Sequence, residues 1–308
     1  MAFHFENIIN STIRQNGLIQ PGDSILVAVS GGSDSMCLAF LLHKLQFKVA
    51  VAHVNFRLRG PESDLDETLV KEWCLNNGVA FHVAAFDTQM EAQKLKKGIQ
   101  ETARILRYDW FEQLSLEFKY HKIAVAHHLD DQAETVLFNL IRGAGLKGAK
   151  GISIQQGKII RPLINIPKID LLNYVKEHQV PYREDQSNLK SAYSRNKIRH
   201  DVLPLLNMIN PKAAAHIAQF GLRLQSVLPG YQAWKKTQTE KYITRNHHGF
   251  IIKLPETIEV GLWYVLLEEF GFNEDQVSQL HQAIQSKAVG KLFLSDAYQL
   301  VYAGAQVE

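Results

Sequence analysis

Cysteine is almost missing from this sequence: Cys37 and Cys74 are the only two in 308 residues. Each sits inside an apolar helical pattern, which argues against a disulfide framework and a cysteine-ligated metal site. There is no CxxC pair to act as a thiolate relay. No apolar run reaches the ~18 residues of a membrane span. The opening MAFHFENIINSTIRQ has neither the basic start nor the apolar stretch of a signal peptide, so a cytoplasmic protein away from membranes is expected. A GxxxxGK[ST] sequence is also missing, which removes the Walker type of phosphate loop. One GxGxxG string does occur, Gly143 to Gly148, but it follows a helical pattern rather than a strand, so the dinucleotide-binding context is lacking.

What is present is ordinary in amount and uneven in place. The net charge is +3. Residues 142 to 200 carry twelve Lys/Arg against four Asp/Glu, a local +8, which leaves about −5 for the remainder. A docked polyanion accounts for such a segment, and so do solvated basic loops.

Short apolar runs alternate with helical patterns. Phe5, Ile8, Ile9, Thr12 and Ile13 share one helical face, and Pro21-Gly22-Asp23 closes that element. ILVAV (25–29) reads as a parallel strand covered on both faces, followed by a helix from Asp34 to Leu45. VAVAHVNF is a second strand, and Ser63 to Asp66 resembles a capping box opening the helix through Cys74. FHVAAF is the third strand, Gly98 to Phe118 a long helix, and KIAVAHH (122–128) the fourth strand. The helix after it ends at Gly143. The pattern predicts an α/β fold, a doubly wound parallel sheet whose ligands lie beyond the carboxyl ends of the strands. SGGSDS, HVNFRLRG and HHLDD all fall at such ends.

Beyond residue 160 come IIRPLI, a helix from Ile169 to Val180 and a polar basic stretch. Pro211 then opens an Ala-rich helix that Pro229-Gly230 stops or kinks. The expected division is a catalytic domain over 1–210 and a smaller, mostly helical RNA-binding domain over 211–308. The second contains helices in GLWYVLLEEF and NEDQVSQLHQAI and a terminal hairpin in KLFLSDAYQLVYA.

The loop Ser30-Gly31-Gly32-Ser33-Asp34-Ser35 invites a phosphate. The glycines tolerate positive φ, so backbone N–H groups can converge. The helix that follows aims its unpaired donors and positive dipole end at the same point, and the serines add hydroxyls. Asp34 would repel a phosphate unless a cation bridges the two, and Mg²⁺ on a nucleotide polyphosphate does so. In HHLDDQAET, helical phase from His127 places His127, Asp131 and Glu134 on one face, an acidic hollow suited to an ammonium group and able to take its proton. A solvated helix N-terminus would also carry acids there. Lys190, Arg195, Lys197 and Arg199, with Tyr193 among them, suit RNA with unpaired bases, and Arg199 can equally reach back toward the nucleotide. Arg142, Lys147 and Lys150 present a second basic loop to an anion. His53 and Asn55 are candidates for nucleotide contact, or simply cap a strand end.

SGGSDS, between its strand and helix, resembles the pyrophosphatase loop of the N-type ATP pyrophosphatase superfamily. Members split ATP into AMP and pyrophosphate while activating a carbonyl oxygen as its adenylate. AHVNFRLRGPESDLDE, ETARILRYDWF, AHHLDDQAETVLFNLIRGAGLKG, RPLI and DQSNLKSAYSRNKIRHDVLP resemble one branch closely, the tRNA(Ile)-lysidine synthetases, from about residue 20 to 210 and more weakly beyond. The resemblance implies an adenine nucleotide α-hydrolase-like fold, with ATP and Mg²⁺ as requirements. It implies adenylation of the wobble cytidine C2 oxygen in a CAU-anticodon tRNA(Ile), then attack by the ε-amine of L-lysine to give lysidine, AMP and pyrophosphate. Asp34 would hold the metal, Ser30 to Ser35 and His53 the ATP, and Asp131 and Glu134 the lysine. Arg107 would offset phosphate or substrate charge, and Asp131, Glu134 or His127 would take the amine's proton. Arg195, Lys197, Arg199 and Lys147 would meet the tRNA.

A thiolating tRNA enzyme would need well-placed cysteines. A small-molecule ligase resembling NAD synthetase leaves the +8 segment unexplained. A non-catalytic RNA-binding module leaves the acidic hollow unexplained. Longer members of the family carry a further C-terminal domain, and the tail here resembles its beginning, as in a short or truncated form. The sequence leaves open the oligomeric state, a homodimer included, the identity of the base, and how tRNA(Met) is rejected.

Overall fold

The computed structural model describes residues 2–184, 194–247, 249–254, 259–304 and 306–307. It forms two compact units, Met1–Gln225 and Ser226–Glu308.

In the first unit, α1 (Ala2–Gln15) precedes β1 (Ser24–Ala28), α2 (Ser33–Lys44), β2 (Lys48–Asn55), α3 (Pro61–Asn76) and β3 (Ala80–Ala85). Then come α4 (Thr88–Leu95), α5 (Ile99–Glu117), β4 (Lys122–Ala124), α6 (Leu129–Ile141), α7 (Gly145–Ala149) and the β5 (Gln155–Gln156)–β6 (Ile159–Ile160) hairpin. The sheet order is β3-β2-β1-β4-β6-β5, parallel throughout except for β5 against β6. The chain winds outward from β1 through β2 to β3 and returns to the other side as β4. The strand order therefore reverses at the β1/β4 boundary, where such sheets open a crevice at their carboxyl ends.

Alternation along β1 fixes its two faces. Ile25 and Val27 are fully buried with Ile9, Ile13, Leu38, Leu41 and Leu171 from the helices on one side. Leu26 is buried with Phe111, Leu114 and Ile123 on the other. Burying each such side chain contributes about 1.5–3 kcal/mol, so β1 is clamped between two layers and its carboxyl end is a fixed platform.

Several boundaries differ from the expectation. Helix α2 opens at Ser33, one residue early. Helix α3 starts with Pro61 in its first turn and Gly60 as N-cap. Ser63 is thus inside the helix, its N–H donating to the Gly60 carbonyl, and forms no capping box. The fourth strand ends at Ala124; the Val125 N–H still donates to the Ile160 carbonyl at 3.0 Å, and the chain then runs on to His128, the cap of α6.

Helix α8 (Lys168–Glu177) is followed by α9 (Ser194–Lys197), a π-helical turn (Ile198–Val202), α10 (Leu203–Ile209) and α11 (Ala213–Tyr242). Pro229 lies within α11 without ending it. The division between units falls inside this helix, at 225/226, rather than at the proline-marked 210/211.

In the second unit, β7 (Ile243–Asn246), β8 (Gly249–Lys253) and β11 (Gln306–Val307) form an antiparallel sheet, and β9 (Leu292–Leu294) pairs with β10 (Gln299–Val301) as the expected hairpin. Helices α12 (Val260–Leu267) and α13 (Glu274–Gln285) match the two predicted segments, the latter capped by reciprocal Asn273–Gln276 hydrogen bonds of 2.9 Å. Trp263, Ile252, Leu280 and Leu300 are buried in its core. The β7–β8 pairing makes this unit mixed rather than mostly helical.

Candidate active site

The glycine-serine loop leaves β1 and enters α2 at the β1/β4 crevice. Gly31 has φ +93°, the left-handed region that favours glycine. A Cβ placed there would stand 3.2 Å from the Asp66 Cβ. Asp66 is itself held by Arg59 at 2.6 Å and Arg183 at 2.9 Å, and the Arg183 N–H donates to the Gly31 carbonyl. The loop is therefore braced from α3 and from the chain after α8.

Two of the serines hold the loop's shape. Ser35 Oγ accepts from the Ser30 N–H (3.1 Å) and donates to the Gly32 carbonyl (3.0 Å); the Ser30 and Ser35 hydroxyls are 3.1 Å apart. What remains for a phosphate are the first N–H groups of α2, which have no partner inside their own helix, and its positive dipole end.

Asp34 is surrounded by cations. Its carboxylate accepts from Lys168 Nζ and lies 3.6 Å from His128 Nε2. Burial alone would raise its carboxyl pKa, but the hydrogen bonds and charges of His128 and Lys168 hold it below the usual range. Lys168 also reaches Ser33 Oγ at 2.9 Å, and its N–H donates to Asp130 at 2.8 Å. His128 faces three carboxylates: Asp34, Asp130 (3.6 Å) and Asp131 (3.4 Å). Burial opposes its charge, yet these partners raise its pKa to about 10.

Helix α6 begins one residue later than helical phase from His127 requires. His128 is its extended N-cap residue, and the His128 N–H donates to Asp131 Oδ2 at 3.0 Å. His128 thus takes the place assigned to His127, joining Asp34 to the Asp131/Glu134 pair. The hollow formed by that pair is filled. Arg199, in the π-helical turn, donates from Nε to Glu134 Oε1 at 2.6 Å, and from Nη2 to Glu134 Oε2 at 3.0 Å and Asp131 Oδ1 at 2.8 Å. Arg195 adds a 3.5 Å approach to Glu134 and a hydrogen bond to Thr135. Glu134 is only 2% exposed. Burial raises its pKa, and the arginines offset this only in part.

A cavity of about 240 Å³ opens beside the loop. Ala28, Ala52, Val54, Phe56, Phe111 and Val125 make an apolar floor; Ser30, Gly32, Asp34 and Ser35 line one part, and Arg107, Tyr108 and His127 another. Arg107 Nε is buried with no hydrogen-bond partner, and burial depresses its pKa. A desolvated guanidinium with a free donor on a cavity wall is suited to an anionic ligand.

The other predicted residues are distributed as follows. His53 is buried and is not among the residues lining the cavity; its Nδ1 meets the Val29 carbonyl at 2.9 Å. Asn55 binds Asp64 and Glu67. Lys147 and Lys197 are exposed, whereas Arg195 and Arg199 turn inward. Lys190 and Tyr193 lie outside the described residues. Lys168, His128 and Arg161 were not singled out from sequence; the first two signals were a lysine just after Pro167 and the second of two adjacent histidines.

A parallel sheet with this loop at its switch point, next to a cavity with an apolar floor, defines an ATP-binding PP-loop protein, and the PP-loop domain profile matches residues 1–206. The profile described as the TilS substrate binding domain matches residues 251–302. A tRNA(Ile)-lysidine synthase of Bacteroides thetaiotaomicron is 36% identical over 289 residues, covering 94% of this chain and 68% of the relative. One of Porphyromonas gingivalis is 35% identical over 307 residues, covering 98% and 66%. The chain belongs to the tRNA(Ile)-lysidine synthase family of ATP-dependent ligases and spans about two thirds of the length of these relatives. The fold is shared with the U34-tRNA thiolase NcsA of Methanococcus maripaludis, at 22% identity and a TM-score of 0.58, covering 71% of this chain and 77% of that one. Among the described residues no helix is long and apolar enough to cross a membrane.

Proposed function

We propose that this chain makes lysidine in the cytoplasm by seating ATP in the β1/β4 cavity and L-lysine on the Asp131/Glu134 pair. The C2 oxygen of the wobble cytidine in CAU-anticodon tRNA(Ile) is adenylated and pyrophosphate leaves; the lysine ε-amine then attacks C2 and AMP leaves. The observation that carries the reading is that one imidazole, His128, touches both the phosphate-loop carboxylate Asp34 and the acid-pair carboxylate Asp131. The seat for the phosphates and the seat for an ammonium group are thus neighbours.

In the first step, the α2 N-terminus and Lys168 face the departing pyrophosphate, and Arg107 offers its unused Nε–H to charge growing on the α-phosphate. Among the described residues no three His, Cys, Asp or Glu side chains converge as a resident metal site. A carboxylate beside a phosphate seat fits Mg²⁺ arriving with the nucleotide, where it would neutralise phosphate charge. Asp34 would be its protein ligand.

In the second step the lysine ammonium, with a pKa of about 10.4 in water, must lose a proton before attack. Glu134 is buried and its pKa raised, which makes it a stronger base than an ordinary carboxylate. Arg199 already holds one cation on this pair, so lysine binding is an exchange of cation for cation. The adenylate supplies the leaving group the pyrimidine oxygen lacks.

The test is pyrophosphate release and radiolabelled lysine incorporation with purified protein, ATP and CAU-anticodon tRNA. Both signals are expected to require tRNA(Ile), and lysine incorporation to fall at least 100-fold in Asp34→Ala. Labelling of tRNA(Met) to the same extent, or full activity in Asp34→Ala, would refute this assignment.

A further inference from the structure

Arg161, in the RPLI segment after β6, is 3% exposed and is not among the residues lining the cavity. Its Nη1 donates to the Ser153 carbonyl at 2.7 Å, and its Nε donates to His127 Nδ1 at 3.3 Å. A guanidinium carries only donors. The Nδ1 facing it must therefore present its lone pair, and the ring's single proton sits on Nε2. An imidazolium would set N–H against N–H at this contact.

The surroundings hold the ring in that form. Arg161, Arg107 and Arg195 press positive charge on it, and Asp131 is the opposing carboxylate. Together with burial, which is the largest effect, they push the His127 pKa down to about 4. His127 lines the same cavity as Ser30, Asp34 and Arg107.

We propose that Arg161 is a positioning residue that fixes His127 as the neutral Nε2–H tautomer, so that His127 donates a hydrogen bond to an oxygen of the adenylated cytidine and does not accept the lysine proton. This rests on the adenylation reading above and narrows it. Of the three groups that could take the proton, His127 drops out and the buried carboxylates remain. A neutral imidazole donor beside the bond between C2, oxygen and phosphorus stabilises the negative charge that builds on the bridging oxygen as AMP leaves in the second step, and no proton need be transferred from it because AMP leaves as a phosphate anion.

The tautomer is readable in the ligand-free protein by ¹⁵N NMR of the histidine rings, with His127→Gln assigning the signals. His127 should show a bare Nδ1 and a protonated Nε2 from pH 5 to pH 8, across the range in which an ordinary histidine titrates near 6.5. In Arg161→Met the ring should become a mixture of tautomers and titrate upward; Arg161→Lys, which restores a donor, should recover the parent pattern. A protonated Nδ1 in the parent, or an unchanged ring in Arg161→Met, would overturn the proposal whether or not lysine is incorporated. In turnover, His127→Ala should lose on the order of 100-fold in kcat, typical for one lost donor. His127→Gln, whose amide can donate from a similar place but cannot act as a base, should retain at least tenfold more. Equal loss in both variants would contradict the donor role.

Discussion

Arg199→Met is the most informative single perturbation, because it removes the cation from two carboxylates while keeping an unbranched apolar stem. Three charge-assisted hydrogen bonds go, at 2.6, 2.8 and 3.0 Å. Removing one partner of a buried ion pair costs about 3–5 kcal/mol. The Arg199 side chain is 37% exposed, so solvent screens part of that. A ceiling comes from chemistry rather than burial, since Glu134 can simply take a proton. At pH 7.5 that costs about 4 kcal/mol against an ordinary carboxyl pKa near 4.3, and at pH 5.5 about 2 kcal/mol. The expected loss of stability is therefore about 2–4 kcal/mol at pH 7.5 and no more than about 2 kcal/mol at pH 5.5.

The sign follows from linkage. In the variant the folded-state pKa of Glu134 rises further above its unfolded value, so folding binds a proton and stability falls as pH climbs toward that raised pKa. Urea unfolding at the two pH values, fitted with separate transitions for the two units, measures it. L-lysine supplies a second readout: its ammonium should restabilise Arg199→Met by about 2.7 kcal/mol at a hundredfold excess over its dissociation constant. In the parent, where Arg199 must first be displaced, the same concentration should do less. A loss below about 1 kcal/mol at pH 7.5, a pH-independent loss, or equal lysine effects on both proteins would refute the ion-pair reasoning.

Two further predictions concern the loop and its histidine. Gly31→Ala should destabilise the protein by about 1–3 kcal/mol and raise the dissociation constant for ATP at least tenfold, since both its positive φ and its contact with the pinned Asp66 disfavour a side chain; equilibrium unfolding and ATP titration check it, and wild-type ATP affinity would sink the loop geometry. His128, raised from 6.5 to about 10, contributes stability that is complete below about pH 6.5 and is lost as pH rises toward 10. Unfolding in EDTA should show a decline of at most a few kcal/mol over that span that is missing from His128→Gln, and parallel curves would show that the ring is not charged.

The phosphate loop was legible because its signal is local: two glycines between two apolar runs need a special backbone, and the strand–loop–helix context lies within 20 residues. The parallel sheet was legible once four strand–helix alternations were counted, but the strand order that puts the reversal at β1/β4 is a long-range property that only the structure gives. Asp131 and Glu134 do meet, on Arg199, but the histidine in contact with Asp131 is His128, one position beyond the one expected there. His127 and His128 are chemically identical in sequence, and only the extended backbone of His128, which delays the helix to Leu129, sets the phase. Lys168 was not foreseen because its partners, Ser33 and Asp34, are over 130 residues away, and no periodicity encodes such a contact. Pro211 does precede the helix expected after it, but α11 runs from Ala213 through Pro229 to Tyr242, so the two compact units divide within a continuous helix, which no local breaker marks.

The charge asymmetry has a different meaning in three dimensions than along the chain. The +8 of residues 142–200 suggested a surface waiting for a polyanion. Lys168, Arg183, Arg195 and Arg199, from that segment, instead pair with Asp34, Glu62, Asp66, Asp131 and Glu134, all from the acidic remainder. Arg161 faces a neutral histidine. Part of the segment's charge is thus spent inside the first unit, stitching the chain after β6 onto α2, α3 and α6. On the proposed function, the same pairs would prepare the site for its ligands. A phosphate arriving at Asp34 finds Lys168 within reach, and an ammonium arriving at Glu134 finds a carboxylate already desolvated for a cation. Arg142, Lys147, Lys176 and Lys197 are exposed; if these meet the tRNA, as proposed, salt should weaken its binding less steeply than twelve basic residues would suggest.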